Sequence, residues 1–513
     1  GQNPPNPAEL LSSERMKKAL NTMRQEYDYV ILDLPPVEEV SDALVAAKLA
    51  DGVLLTVRQD YCNRPALEDT IKQFDFVNGR ILGLLMTYAQ DRGLGYGKSY
   101  YKHYYHRYGK YRHYAKSYEE AYLTELSIVY GEIRNHLRHL CRWARAERKC
   151  SPLAILPASS KVIKEPLGSA LIIAPWNYPV QLLLNPLVGA ISSGCTAMLK
   201  TSPYVPHVSA VLTEMIRANF PEEYIAIVEG NRQVNQALLS ERWDLIFFTG
   251  SPDLGRLVMS AAAKNLTPVV LELGGKSPCI IDKNANLKVA AKRVAWGKVL
   301  NAGQTCIAPD YLYIHEEVKD KFLSYLVKEW KELLTKQPQK ATHFARIVSD
   351  KALERLVGYL ADGTIYYGGE YDKAERYLAP TILTDVRVDG AVMTEEIFGP
   401  IFPVLTFKQI EEVTEFVAKR ERPLALYYFG KQGDYILRHT ISGGTCINDV
   451  IMHIVNHDMP FGGVGNSGMG TYHGKESFMT FSHRRSVVST PTFVDMPFRY
   501  MPYKLFNLIK KLV

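Results

Sequence analysis

From about Ala121 onward the chain alternates short apolar runs with helical segments, and that rhythm leaves few folds open. "SALIIAPWNYP", "CTAMLKTSP", "YIAIVEG", "DLIFFTG" and "PVVLELGG" each hold a few apolar residues closed by a turn or a polar group. Segments of roughly 10 to 15 residues with helical periodicity separate several of them, as in "HVSAVLTEMIRANF" and "SPDLGRLVMSAAAKN". The pattern predicts an α/β protein with a doubly wound parallel sheet. Reactive groups in such sheets gather at the carboxyl ends of strands. Each run here ends in a residue able to do chemistry.

Bulk properties narrow the class further. The 513 residues exceed one simple core, which implies several domains. No apolar stretch is long enough to span a bilayer, and the opening "GQNPPNPAEL" has neither a basic start nor an apolar segment, so we expect no stable membrane insertion and no secretory signal. Seven scattered cysteines without a C-x-x-C read as reduced thiols in a cytoplasm, with no metal site. A net charge of +7 on this length gives no reason to expect a nucleic-acid partner.

The first part of the chain differs in character. Residues 1–90 have α/β patterning, with expected buried parallel strands in "YDYVILDLPP", "DGVLLTVRQD" and "RILGLLMTYA". Nine tyrosines from Tyr96 to Tyr118 then alternate with Lys, Arg and His, a composition unsuited to a core. Residues 91–117 therefore read as a tail or linker.

Six segments carry candidate chemistry. "NAGQTCIAPDY" presents Cys306, a nucleophile or a small buried thiol. "VVLELGGKSP" sets Glu272 at a strand end, where partial burial suits a general base; an ion-paired carboxylate is the plainer reading. In "IIAPWNYP", Asn177 sits between Trp176 and Tyr178 with a proline on either side, able to aim an amide N–H at an oxyanion or simply to make a turn. "FFTGSPDLG" places Gly250, Ser251 and Gly255 at a strand–helix junction suited to phosphate, without the G-x-G-x-x-G fingerprint. "EEIFGPIFPV" brings Glu395, Glu396 and Phe398, while "MLKTSP" ends a strand in Lys200, within reach of ribose hydroxyls or a phosphate.

Together with "NDVIMHIVNHDMPFGGVGNSGMGTYHGKESFMTFSHRRSV", these segments closely resemble the aldehyde dehydrogenase superfamily, specifically its class 3, fatty-aldehyde-type branch, from about residue 118 to the end. The resemblance implies a Rossmann-like NAD(P)-binding domain over 118–275 with an oligomerisation hairpin at about 151–168. It implies a catalytic domain over 276–445, a return to the cofactor domain with a C-terminal tail over 446–513, and a homodimer. It assigns Cys306 as nucleophile, Asn177 and the Cys306 N–H as the oxyanion site, and Glu272 as the base that hydrolyses a thioester. Trp176, Lys200, Gly250, Ser251, Gly255, Glu396 and Phe398 would bind NAD or NADP, and the substrate would be an aldehyde. The family's glutamate three residues after the lysine is Pro203 here, which implies tolerance of a 2′-phosphate.

Residues 1–117 resemble the later half of bacterial capsular and exopolysaccharide tyrosine autokinases, a partial P-loop-NTPase-like α/β segment. "VILDLPP" would supply a magnesium-proximal Asp33, and no Walker A loop precedes it. Two alternatives to an active enzyme follow: a signalling or capsule-regulation remnant whose tyrosines accept phosphate, or an inactive fusion of two partial genes.

Overall fold

The chain divides into two units, Gly1–Gly109 and Lys110–Val513. The structure, a computed structural model, describes residues 11, 13–27, 30–34, 37, 42–58, 64–77, 79–87, 116–152, 155–495, 499–503, 506 and 510.

In the first unit Ser13 caps the helix Glu14–Glu26, its hydroxyl accepting the Met16 N–H at 3.2 Å. The strands Val53–Arg58 and Ile81–Thr87 pair in parallel, with the helix Arg64–Phe76 between them in sequence. Ala43, Ala47, Leu55 and Phe74 form a small core. No strand forms among the described residues of "YDYVILDLPP": residues 30–34 are irregular, Asp33 is exposed and Ile31 is 90% exposed. A parallel strand needs cover on both faces, and in this stretch Leu34 packs against the small core while Ile31 and Leu32 stay exposed. Tyrosines 96–114 lie outside the described residues, as does most of the chain after residue 503.

The second unit carries two large sheets. The six-stranded one runs Gly468–Met469, Val269–Leu273, Leu245–Gly250, Ser169–Ile173, Thr196–Lys200, Ile225–Val228, and all its strands are parallel except the first. Helices Gln181–Ser193, Pro206–Asn219 and Pro252–Ala263 make crossovers. The doubly wound expectation holds, with one antiparallel edge. Its register lines up the carboxyl ends: Ile173 sits opposite both Lys200 and Phe248, and Thr249 opposite Glu272. Lys200, the start of the Asn177 loop, Gly250 and Glu272 thus form one row, about 14 Å long at the usual strand spacing.

The second sheet has seven strands, with Tyr311–His315 and Pro278–Ile281 among its central members. Residues 311–315 are all buried, as a parallel strand covered on both faces requires. Residues 151–168 contribute one strand, Ser159–Pro166, which pairs antiparallel with Ser482–Ser489 and Glu147–Lys149. No helix among the described residues is long and apolar enough to cross a membrane.

Trp330, on the helix Lys319–Leu334, is 1% exposed, stacks on Phe402 and donates its indole N–H to the Ala295 carbonyl at 3.1 Å. Trp330→Ala should cost about 3–5 kcal/mol, seen as a lower urea midpoint at unchanged slope.

Candidate active site

Cys306 lies at the second sheet's amino edge, on the loop joining the helix Leu287–Val299 to the start of the strand Tyr311–His315. The loop begins with three residues of positive φ: Asn301 at 50°, Ala302 at 52° and Gly303 at 74°. At Gly303 a β-carbon would lie 2.3 Å from the Gly399 carbonyl oxygen, so no other residue fits. Gln304 locks the turn: its amide N–H groups reach the Asn301 and Arg346 carbonyls at 3.0 Å, and its Oε1 accepts the Val348 N–H at 2.9 Å.

Asn177 is 3% exposed and meets this loop directly. Its Nδ2 donates to the Gln304 carbonyl at 3.1 Å, and its own carbonyl accepts from Asn301 Nδ2 at 3.1 Å. Beside it the Tyr178 hydroxyl pairs with Thr305 Oγ1 at 2.6 Å. Cys306 is two residues beyond Gln304, at most about 7 Å of chain. The prolines flanking Asn177 and this amide network together fix the turn.

Two buried carboxylates, Glu272 and Glu396, act on the thiol electrostatically. Glu272 is 3% exposed, and neither carboxyl oxygen has a hydrogen-bond partner among the described residues. Burial holds its pKa well above the ordinary carboxylate value. Glu396 is pushed up to about 8, first by burial and then by Asp310, against the lowering pull of the Gly275 N–H, Lys276 and Arg355. Its carboxylate crosses Gly274, where a β-carbon would lie 2.1 Å from Glu396 Oε2. Burial raises the Cys306 thiol, with Glu396 and then Glu272 adding to the rise; the Ile307 and Cys306 N–H groups oppose it.

The segment bearing Glu396 is clamped from both sides. Arg355 donates to the Glu396 and Ile397 carbonyls at 3.0 and 2.8 Å, and Asp310 Oδ2 accepts the Ile397 N–H at 2.9 Å. Lys276 joins Asp310 to the Val392 and Glu395 carbonyls. Glu395 takes the Tyr359 hydroxyl at 2.6 Å, so the two adjacent glutamates serve different partners. Phe398, at φ 49°, meets the Trp176 ring edge-on at 5.5 Å between centroids.

The remaining candidates lie along the first sheet. Gly250 ends its strand, and Ser251 caps the following helix through the Leu254 N–H. Gly255 lies within that helix, where a side chain would strike Leu273; its smallness serves helix–strand packing. Lys200 is buried, with its ammonium donating to the Thr201 and Gly230 carbonyls at 2.6 and 2.7 Å. An exposed helix N-terminus, a buried ammonium and a buried carboxylate over a glycine are donors and acceptors suited to a dinucleotide's diphosphate and riboses.

Residues 117–487 match the model of the aldehyde dehydrogenase family. The chain belongs to that family. Mouse aldehyde dehydrogenase family 3 member B1 is 44% identical over 398 residues, 77% of this chain and 85% of that protein. The rat dimeric NADP-preferring aldehyde dehydrogenase is 42% identical over 369 residues, 71% and 82% of the two. A substrate-bound Staphylococcus aureus aldehyde dehydrogenase structure superposes with a TM-score of 0.75 at 43% identity, covering 77% of this chain and 87% of that one.

In this aldehyde dehydrogenase, residue reading of the sequence missed Asn301, Gln304, Asp310, Lys276 and Arg355. The first four lie inside quoted motifs but carry no spacing signal, and Arg355 lies in an ordinary helix pattern.

Glu396→Gln removes the strongest charge opposing the thiolate. The pH midpoint of Cys306 alkylation by iodoacetamide should fall in that variant and stay above that of an exposed thiol, because burial is the larger cause.

Proposed function

We propose that Cys306 is the nucleophile of an NAD(P)+-dependent oxidation of an aldehyde to a carboxylic acid, with Glu272 as the hydrolytic base. The observation that carries this reading is the bond from the Asn177 amide, on a loop leaving the first sheet, to Gln304, two residues before the half-buried Cys306 thiol on a loop entering the second; the buried Glu272 carboxylate without a hydrogen-bond partner among the described residues supports it.

The chemistry runs in two halves. Cys306 gives its proton to water, its sulfur bonds to the aldehyde carbon, and the carbonyl π pair moves onto oxygen, making the thiohemiacetal oxyanion. Asn177 Nδ2 carries two N–H groups; Gln304 orients the amide through one, and we assign the other, with the Cys306 N–H, to the oxyanion. A bound NAD(P)+ supplies the hydride acceptor. With the hydride gone, Cys306 carries a thioester. Glu272 takes a proton from water, the hydroxide adds to the thioester carbon, and the thiolate leaves as the acid is released. The raised pKa of Glu272 makes it a stronger base once ionised than an exposed carboxylate.

The cofactor would lie along the row from Lys200 to Glu272, with Ser251 and the helix N-terminus on the diphosphate and Gly250 beside them. Glu396 would hold the nicotinamide ribose, with Trp176 and Phe398 beside the ring. Pro203 is exposed where a carboxylate would repel a 2′-phosphate, which supports use of both NAD+ and NADP+. The name of the rat relative, dimeric and NADP-preferring, supports the same choice and a homodimer formed through residues 118–513. Free thiols at Cys141 and Cys150, both exposed, fit a reducing cytoplasm. The two parallel strands of residues 1–90 support the partial autokinase-like reading of that segment.

Cys306→Ala should abolish NAD(P)H formation from an aldehyde, and full activity in that variant ends the proposal. Glu272→Gln should give a single burst of NAD(P)H followed by slow turnover, because acylation proceeds and hydrolysis stalls. The kcat/KM values for NAD+ and NADP+ should lie within about a hundredfold of each other.

A further inference from the structure

Two of the three left-handed residues ahead of Cys306 are not glycine, so the turn persists only where its surroundings over-determine it. Most of its bonds are internal to the loop or come from Asn177. Arg346 and Val348 hold Gln304 from outside, and a further support reaches the first left-handed residue itself: the Asn301 N–H donates to Glu120 Oε1 at 2.7 Å. Glu120 belongs to the short helix Tyr118–Ala121 at the start of the family match, remote from every motif that carries the chemistry.

The neighbours of Glu120 grip the other loop. Glu125 Oε2 accepts the Val180 and Gln181 N–H groups at 2.8 and 3.3 Å, where the chain leaves Asn177 for its helix. Glu125 Oε1 accepts from Lys116 Nζ at 2.9 Å, and that ammonium sits 3.6 Å from the centroid of the Tyr178 ring. Residues 116–125 therefore bracket both halves of the site, Asn177 through Lys116 and Glu125, the cysteine loop through Glu120.

We propose that Glu120 is a positioning residue: its carboxylate, by accepting the Asn301 N–H, holds the turn that sets Gln304 and Cys306 against Asn177. The proposal rests on the reading of Cys306 as nucleophile. Burial pushes the Glu120 pKa up to about 7, with Lys116 and the Asn301 N–H pulling it down and Glu125 raising it. Lys116 and Glu125 are the charged groups facing it. The ionised form is the stronger acceptor, so the contribution of Glu120 is present above that pKa and lost as pH falls through it.

The test compares the full chain with Glu120→Ala and Glu120→Gln for turnover, melting temperature and pH profile. Glu120→Ala should lower kcat roughly 10- to 100-fold, the scale of a small misplacement of reacting groups, while KM for NAD(P)+ stays within about twofold. Glu120→Gln keeps an acceptor oxygen, so it should recover most of kcat at high pH and lose the acid limb near pH 7. A kcat in Glu120→Ala close to the parent's overturns the proposal, as does a loss that Glu120→Gln does not relieve. If Glu120→Ala fails to fold, the Glu120→Gln profile decides alone, and an unchanged acid limb is fatal. Cys306→Ala run alongside separates the two readings. Activity surviving there removes the nucleophile itself, whereas activity lost there and retained in Glu120→Ala removes only the positioning role.

Discussion

One carbonyl oxygen joins the two halves of the site. Gln304 O accepts from Asn177 Nδ2 and from Asn301 Nδ2, each at 3.1 Å. The first donor stands on the loop after a strand of the six-stranded sheet, and the acceptor precedes Cys306 on the loop entering the seven-stranded sheet. One apolar core runs through both sheets, but apolar contact is non-directional and does not set the register of their loops. Asn177 makes that registration, and the same amide is the one assigned to the oxyanion. Loss of the Gln304 contact therefore acts on chemistry as well as on packing.

The site's electrostatics follow from dryness. Glu272, Glu396 and Cys306 are all displaced toward their neutral forms, and burial is the first cause in each case. Anions that act on one another at low dielectric repel strongly. Each ionisation makes the next harder, which couples attack by sulfur to the state of both carboxylates. Buried Lys298, lowered to about 7 chiefly by burial, bonds the Pro309 and Asp310 carbonyls and adds a cation behind the loop.

Legibility in the sequence followed the range of the interaction. The strand runs that end at Lys200, Gly250 and Glu272 were readable because burial on both faces writes continuous apolar stretches, and all five proposed strands of the first sheet formed. Cys306, Glu272, Asn177 and Glu396 were readable as groups, since glycine and proline mark their turns. What could not be read was the partner of each. Asn301 and Gln304 act by backbone and amide contacts that leave no spacing, and Gly255 reads as a phosphate glycine although its neighbour is Leu273. The described residues of "YDYVILDLPP" form no strand for a related reason: apolar composition states a need for cover, and the cover has to come from elsewhere in the chain.

Strain and support then explain why a segment so far upstream bears on the reaction. Left-handed backbone at Asn301 and Ala302 costs on the order of 1–2 kcal/mol per residue, while a net hydrogen bond returns about 1. The bonds of Gln304 and Asn177 offset that strain, and the acceptor from Glu120 adds to them at Asn301 itself. A carboxylate does so more strongly than a carbonyl, because the bond is charge-assisted. Burial sets the limit, since the same desolvation that strengthens the bond also raises the Glu120 pKa toward neutrality. An acceptor that strong in so dry a place is necessarily one that pH can weaken, and the cysteine loop inherits that sensitivity through a single N–H.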